Sequence, residues 1–208
     1  MPEDVWDAQM DVNIKSVFLM CKHVLPIMEK QGIGSIVNVA SIAALRYIGK
    51  PQIGYSSSKA AVLHFTRATA VIYAPKGVRL NTVVPGLMNT PLIQSLADKY
   101  NDGDVEGLRA KRDASVPMGK MGDAHDTAYC ILFLASQCAK HVTGKLTGWR
   151  NPALLEATPC LAISSPSEPC RSIFDKHALA DNLARHLQVR SWSSMEESSG
   201  TAHLGNTV

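Results

Sequence analysis

Tyr55 and Lys59, a tyrosine and a lysine four residues apart, are the side chains of this sequence best suited to proton transfer. If a helix begins near Tyr55, both side chains lie on one face, one turn apart. A phenol titrates at about 10 when unperturbed, and a neighbouring ammonium favours the phenolate, which lowers the pKa of the phenol. Tyr55 is therefore predicted to act as a general acid or base.

Ser41 stands at the end of an apolar run, residues 35–39, which is typical of a buried strand in a parallel sheet. Its hydroxyl is suited to hold a substrate oxygen for Tyr55. A Tyr-x-x-x-Lys pair alone is a weak signal, because both residues are common on helices. The prediction therefore depends on the elements that surround the pair.

Helices and strands alternate around these residues. Apolar residues at helical spacing predict one long helix over residues 2–30, which contains Asn13 and which Pro26 is expected to kink or shorten. A second long helix is predicted over residues 55–73, followed by a second strand over residues 78–84. This order is typical of an α/β fold.

The second strand runs directly into residues 85–91 (Pro-Gly-Leu-Met-Asn-Thr-Pro), a rigid turn. In open α/β sheets, ligands bind just beyond the carboxyl ends of the strands. Residues 92–114 are polar and helical in tendency, with a break at residues 101–104 (Asn-Asp-Gly-Asp), and such a segment can cover a site as a lid. An apolar helix is predicted over residues 123–136.

The composition indicates a globular domain, with 46% hydrophobic and 19% charged residues. The formal charge of +3 comes without a Lys/Arg run, which argues against a nucleic-acid partner. Apolar runs are too short to span a membrane, and the N-terminus lacks the features of a signal peptide, so a cytoplasmic location is expected. Five cysteines without a Cys-x-x-Cys pair or a zinc-ligand cluster predict free thiols and no metal site.

The character of the chain changes after Gly144. Residues 145–171 are rich in Pro, Ser and Cys, residues 172–190 are predicted to form one amphipathic helix, and the polar residues 192–208 are predicted to be disordered. We therefore expect a catalytic part over residues 1–144 and a divergent, weakly structured tail over residues 145–208.

Several motifs occur together in one order. They are D-V-N-I-K-S around Asn13, I-V-N-V-A-S ending at Ser41, Tyr55-x-x-x-Lys59, V-R-L-N-T-V-V-P-G, and Thr90-Pro91. In this combination, residues 1 to about 144 resemble the short-chain dehydrogenase/reductase family. The resemblance implies a partial Rossmann-like, doubly wound parallel sheet. It also implies hydride transfer between NAD or NADP and a small-molecule carbonyl or secondary alcohol.

The resemblance also implies roles for individual residues. Tyr55 would give or accept a proton at the substrate oxygen, and Lys59 would lower the pKa of Tyr55 and bind the nicotinamide ribose. Ser41 would polarise the carbonyl, and Asn13 would belong to a proton relay that passes through water to Lys59. The residues that would lie along the nicotinamide and its phosphate are Pro85, Gly86, Met88 and Thr90.

The chain also departs from the family pattern. Family members begin with a strand and a glycine-rich turn that holds the pyrophosphate, whereas this sequence opens at the helix after the fourth strand. The glycine-rich loop and the residue that selects NAD or NADP are therefore absent from it. Residues 145–149 lead into sequence unlike the usual last strand, so only two core strands are expected, with unpaired edges.

Two hypotheses about function follow. The first is an oxidoreductase whose cofactor half is missing from this chain, with substrate selectivity in residues 87–118 and 42–54. The second is a truncated, inactive family member that acts as an interaction protein and dimerises through its two long helices. The resemblance implies a homo-oligomer in either case, and cofactor binding distinguishes the two.

Overall fold

The computed structural model describes residues 1–148. The residues near the N-terminus whose apolar positions recur at helical spacing form one continuous helical stretch. Helix α1 covers Glu3–Met10 and helix α2 covers Ser16–Gln31. Between them lies a five-residue π-helical segment, Asp11–Lys15. The predicted long helix is confirmed, but with a wider turn at its centre.

Pro26 lies inside α2 and does not end it. Proline removes one backbone donor, which leaves a carbonyl on the preceding turn without its helical partner. The Pro26 side chain is exposed, so water can reach this part of the helix. The helix ends instead at Gly32, which adopts the left-handed conformation with φ of 67° that commonly terminates helices.

Strand β1 covers Gly34–Val39 and β2 covers Val78–Val84, and they pair in parallel along their whole shared length. With the short strand β5 (Leu146–Gly148), they form the main sheet of the described residues, in the order β1-β2-β5. The sequence predicted β1 and β2 but not the third strand, β5. This strand pairs with the carboxyl half of β2 over only three residues, too short a run to show strand alternation.

Helices cover both faces of this sheet. On one face, α2 and α3 (Ile53–Tyr73) form a core around Leu80, which is fully buried. On the other face, α6 (Ala124–Ala135) packs against Val83. A strand that is buried on both sides needs apolar residues in succession, and at the carboxyl end of β2 the adjacent Val83 and Val84 pack on opposite faces of the sheet.

A smaller unit, which we call the α4–α5 excursion, comprises residues 90–121. Helix α4 covers Leu92–Tyr100 and helix α5 covers Val105–Ala114. Just outside the excursion, strand β3 (Met88–Asn89) pairs with β4 (Gly122–Asp123), so the chain leaves and returns at the same place. The excursion has its own small core, formed by Ile93, Ala97, Leu108 and Met121. The helical tendency and the break predicted for this segment are confirmed.

Some expectations fall outside the described residues, namely the helix over residues 172–190 and the disordered stretch over residues 192–208. Within residues 1–148, no helix is both long and apolar enough to cross a membrane. Cys21 and Cys130 are free thiols, as expected. The expectation of free thiols is wrong for Cys138, which is disulfide-bonded.

The side chain of Asn81 helps to hold the segment that leads into β5. Its amide nitrogen donates to the carbonyl of Val142 at 2.8 Å, and its amide oxygen accepts from the backbone of Lys145 at 3.0 Å. We predict that Asn81→Leu lowers the free energy of unfolding by about 1–3 kcal/mol, because the amide of Lys145 loses its partner and the carbonyl of Val142 keeps only its longer bond from Arg79 at 3.3 Å. Urea denaturation measures the change, and Asn89→Leu, at an exposed asparagine, is the control. Equal stability of the two variants would contradict this role.

Candidate functional site

The carboxyl ends of β1 and β2 are held side by side beyond the strands themselves. The amide of Ala40 donates to the carbonyl of Val83 at 2.9 Å, and the amide of Ile42 donates to the carbonyl of Pro85 at 3.0 Å. Ser41 lies between these two bonds and is therefore adjacent to the end of β2. This is the edge of an α/β sheet at which ligands bind.

Ser41 is the N-cap of a short 3-10 turn, Ile42–Ala44. Its hydroxyl oxygen accepts from the amide of Ala43 at 3.2 Å, which fixes the side chain against the backbone. Within residues 1–148, the hydroxyl proton of Ser41 is not donated to another protein atom. The half-buried hydroxyl can therefore donate to a substrate oxygen.

Helix α3 begins at Ile53, two residues before the predicted start, so Tyr55 and Lys59 lie on its first turns. The Lys59 Nζ atom is 5.9 Å from the centre of the Tyr55 ring. Both side chains are half-buried. The same Nζ donates to the carbonyl of Val39 at 3.1 Å, which attaches the lysine to the carboxyl end of β1. The pair and the strand end thus belong to one site.

Burial lowers the pKa of Lys59 below its ordinary value. The cause is desolvation, since a half-buried ammonium loses part of its hydration. The carbonyl of Val39 replaces some of that hydration with one hydrogen bond. The other two donors of the ammonium remain for a ligand.

Asn13 lies at the centre of the π-helical segment. Its amide nitrogen donates to the hydroxyl of Ser58 at 3.0 Å and to the side chain of Gln9 at 3.3 Å. Ser58 in turn donates to the carbonyl of Tyr55 at 3.0 Å. The asparagine is therefore joined to the turn that carries Tyr55. Its expected part in a relay to Lys59 stays a prediction.

Ser58 was missed by the sequence reasoning, although it lies directly before Lys59. It is fully buried, and both functions of its hydroxyl are used within the protein. The sequence feature that could have indicated its role is its position three residues after Tyr55, on the side of the helix that faces the core. Single π turns within α-helices are often found at functional sites, in agreement with the placement of Asn13.

The segment after β2 forms β3 and then leads into α4. Pro85, Gly86, Met88 and Thr90 are all half-buried there, and the carbonyl of Thr90 accepts from the amide of Ile93 at 2.9 Å. The structure therefore brings Tyr55 and Lys59 together by a ring contact and joins Asn13 to Tyr55 through Ser58. Ser41 follows two residues after Val39, whose carbonyl binds Lys59. The structure places the four residues of the segment on the continuation of the neighbouring strand. No group of His, Cys, Asp and Glu in the described chain is arranged to hold a metal ion.

A parallel sheet covered by helices on both faces, with Ser, Tyr and Lys at its carboxyl edge, defines an α/β protein of the Rossmann-like type. Comparison with known proteins gives a narrower class. The family model described as enoyl-(acyl carrier protein) reductase matches residues 1–147. The chain is also 37% identical over 148 residues to the 3-oxoacyl-(acyl-carrier-protein) reductase FabG of Thermotoga maritima, covering 71% of this chain and 56% of that protein.

Solved structures agree with this assignment. A short-chain dehydrogenase/reductase from Burkholderia xenovorans, described as putative, is 47% identical with a TM-score of 0.67 over 72% of this chain and 56% of its own. ElxO, solved with NADP bound, is 32% identical with a TM-score of 0.63 over 71% of this chain and 57% of its own. The chain belongs to the short-chain dehydrogenase/reductase family, and it spans about half the length of the curated relatives it matches.

The role of Ser58 can be separated from general helix stability. We predict that Ser58→Ala lowers the free energy of unfolding by about 1–3 kcal/mol, because Asn13 and the carbonyl of Tyr55 lose a shared partner. Ser57→Ala, at the neighbouring exposed serine, is expected to change it by less than about 0.5 kcal/mol. Urea denaturation of these two variants, of Asn13→Ala and of the Asn13→Ala, Ser58→Ala double mutant measures the coupling. Strictly additive effects would exclude the Asn13–Ser58 link.

The lowered pKa of Lys59 predicts a pH-dependent contribution to stability. The folded-state value lies below the unfolded value of about 10.4, so the unfolded chain binds more protons between the two. The difference in unfolding free energy between the natural protein and Lys59→Met should therefore shift in favour of the natural protein as pH rises through this alkaline window. Lys30→Met, at an exposed lysine, is the control. A difference that does not change with pH would contradict the burial of the ammonium.

Proposed function

We propose that residues 1–144 are the catalytic part of an NAD(P)-dependent oxidoreductase, and that residues 145–208 are a divergent tail. The reaction is hydride transfer between the nicotinamide and the carbonyl or secondary alcohol of a small molecule. The observation that carries this proposal is the attachment of Lys59 to the end of β1 with the ring of Tyr55 beside it. Ser41 stands at the same strand end.

The residues present fit the nicotinamide and ribose part of a dinucleotide. Lys59 has two ammonium donors beyond the one given to Val39, and ribose hydroxyls are acceptors for such donors. Pro85, Gly86, Met88 and Thr90 lie on the segment that follows β2, and the hydrogen bond from Ile42 holds Pro85 beside the turn that carries Ser41. The relative ElxO was solved with NADP, which supports a dinucleotide in this family. The sequence does not include the glycine-rich turn for the pyrophosphate.

When bound, NAD(P) supplies or accepts the hydride. The hydroxyl of Ser41 donates a hydrogen bond to the substrate oxygen, which draws electron density away from the carbonyl carbon. Tyr55 gives its proton to that oxygen in reduction, or takes one from it in oxidation. Lys59 keeps a positive charge beside the phenolate that results. Asn13 and Ser58 hold the turn of α3 on which Tyr55 is carried.

Titration of the purified full chain with NADH and with NADPH, followed by cofactor fluorescence, tests the proposal. We expect saturable binding that Lys59→Met weakens about tenfold, because a charged hydrogen bond is worth roughly 1.5 kcal/mol. Tyr55→Phe should retain binding and abolish turnover in a carbonyl screen. Lys30→Met, at an exposed lysine outside the site, should bind like the natural protein.

A second candidate function is favoured by apolar side chains on the outside of the long helical stretch and of α3. Val12 is 72% exposed and Val71 is 73% exposed. Exposed apolar residues on long helices are suited to association with another chain, which supports a homo-oligomer. A folded chain that binds neither cofactor but sediments as a dimer would reject the enzyme for this chain. That result would favour the interaction protein.

A further inference from the structure

The α4–α5 excursion is attached to the rest of the protein at two separated places. Its base lies at the β3–β4 pair, where Met88 is opposite Gly122. Its far end is the last residue of α4, Tyr100, which stands directly before the turn at residues 101–104. Helix α4 of nine residues therefore carries the chain from the end of β2 to a distant contact.

The contact of Tyr100 is with the loop that precedes α3. The Nζ atom of Lys50 lies 3.9 Å from the centre of the Tyr100 ring, which is a cation–π geometry. The amide nitrogen of Gln52 lies 3.5 Å from the Tyr100 hydroxyl, toward which it donates. Lys99 adds a second ammonium at 5.4 Å from the ring centre.

The electrostatic surroundings of the hydroxyl agree with this geometry. The pKa of Tyr100 is lowered, mainly by the hydrogen bond from Gln52, with further contributions from the ammonium groups of Lys99 and Lys50. All three groups favour a negative oxygen at this position. The contact is thus made by the ring and the hydroxyl together.

The loop that Tyr100 contacts lies next to the candidate site. Gln52 is the residue directly before α3 and lies three residues before Tyr55, and its carbonyl accepts from the amide of Ser56 at 2.9 Å. The excursion therefore joins the two segments expected to determine substrate selectivity, residues 87–118 and 42–54. It extends from the end of β2 to the entry of the helix that carries Tyr55.

The contact can open without unfolding either side. The core of the excursion is formed by Ile93, Ala97, Leu108 and Met121, and Tyr100 is not part of it. Tyr100 is 38% exposed, so water can replace the contacts of its ring and hydroxyl. Contacts of this kind are weak individually, and segments held by them open more readily than the core.

We propose that Tyr100, Lys50 and Gln52 form a latch that holds the α4–α5 excursion against the loop before Tyr55 and so controls substrate access to the site. The control of access rests on the proposed oxidoreductase function. The contacts of Tyr100 with Lys50 and Gln52, from which the latch is inferred, do not depend on that function. Opening it moves the far end of α4 away from α3, while the β3–β4 pair keeps the base in place.

Hydrogen exchange of the full-length chain, followed by mass spectrometry, tests the latch across its two sides. In Tyr100→Leu, the amides of residues 45–52 should exchange about two- to fivefold faster, although the substitution lies in the excursion. In Lys50→Met, the amides of residues 97–104 should respond in the same way. Tyr100→Phe keeps the ring and removes the hydroxyl, so its effect should be smaller than that of Tyr100→Leu.

Tyr47→Leu is the matched control, because Tyr47 is a 75% exposed tyrosine in the same loop. It should leave the exchange of residues 97–104 unchanged. Exchange that rises only on the substituted side, in either variant, would overturn the latch. Coupled exchange in a chain that binds no dinucleotide would uphold the latch and reject the proposed function. Dinucleotide binding without coupled exchange would overturn the latch and support the proposed function.

Discussion

The parallel pairing of β1 with β2 is the constraint on which the other features depend. Its register extends past the strands through the Ala40–Val83 and Ile42–Pro85 hydrogen bonds. Because both strands run in one direction, their carboxyl ends emerge together, which places Ser41 beside the segment after β2. Helix α3 packs on the same two strands and carries Tyr55 and Lys59 toward that edge. A slip of one residue would turn every side chain of β1 to the opposite face.

Buried polar contacts then specify how the helices meet the sheet. Asn38 on β1 donates to Thr66 on α3 at 2.8 Å, and Lys59 donates to Val39 one residue further along the strand. Nearer the start of α3, Ser58 accepts a hydrogen bond from Asn13. Each contact satisfies a group that would otherwise be costly to bury, so together they restrict the rotation of α3 about its axis. That rotation determines whether Tyr55 faces the strand ends.

Much of this arrangement was predictable from the sequence, for identifiable reasons. The long helices have clear apolar periodicity, and the two main strands are apolar runs bounded by turns. Strand β5 was missed because three residues carry no pattern, and the segment before it is held by hydrogen bonds to β2, which is distant in sequence. The partner of Asn13 was missed because Ser58 is distant in sequence and joined only by the packing of two helices. The contacts of Tyr100 likewise depend on how the excursion folds back.

The hydrogen bond from Lys59 to Val39 also has a consequence for the lysine side chain itself. The amide of Ala40 points toward β2, so the carbonyl of Val39 in the same peptide group points away from it. Lys59 gives this carbonyl a partner within the described residues. A lysine side chain that is already held in one place has less rotamer freedom to lose when a ligand binds, so part of the entropic cost of binding is met during folding.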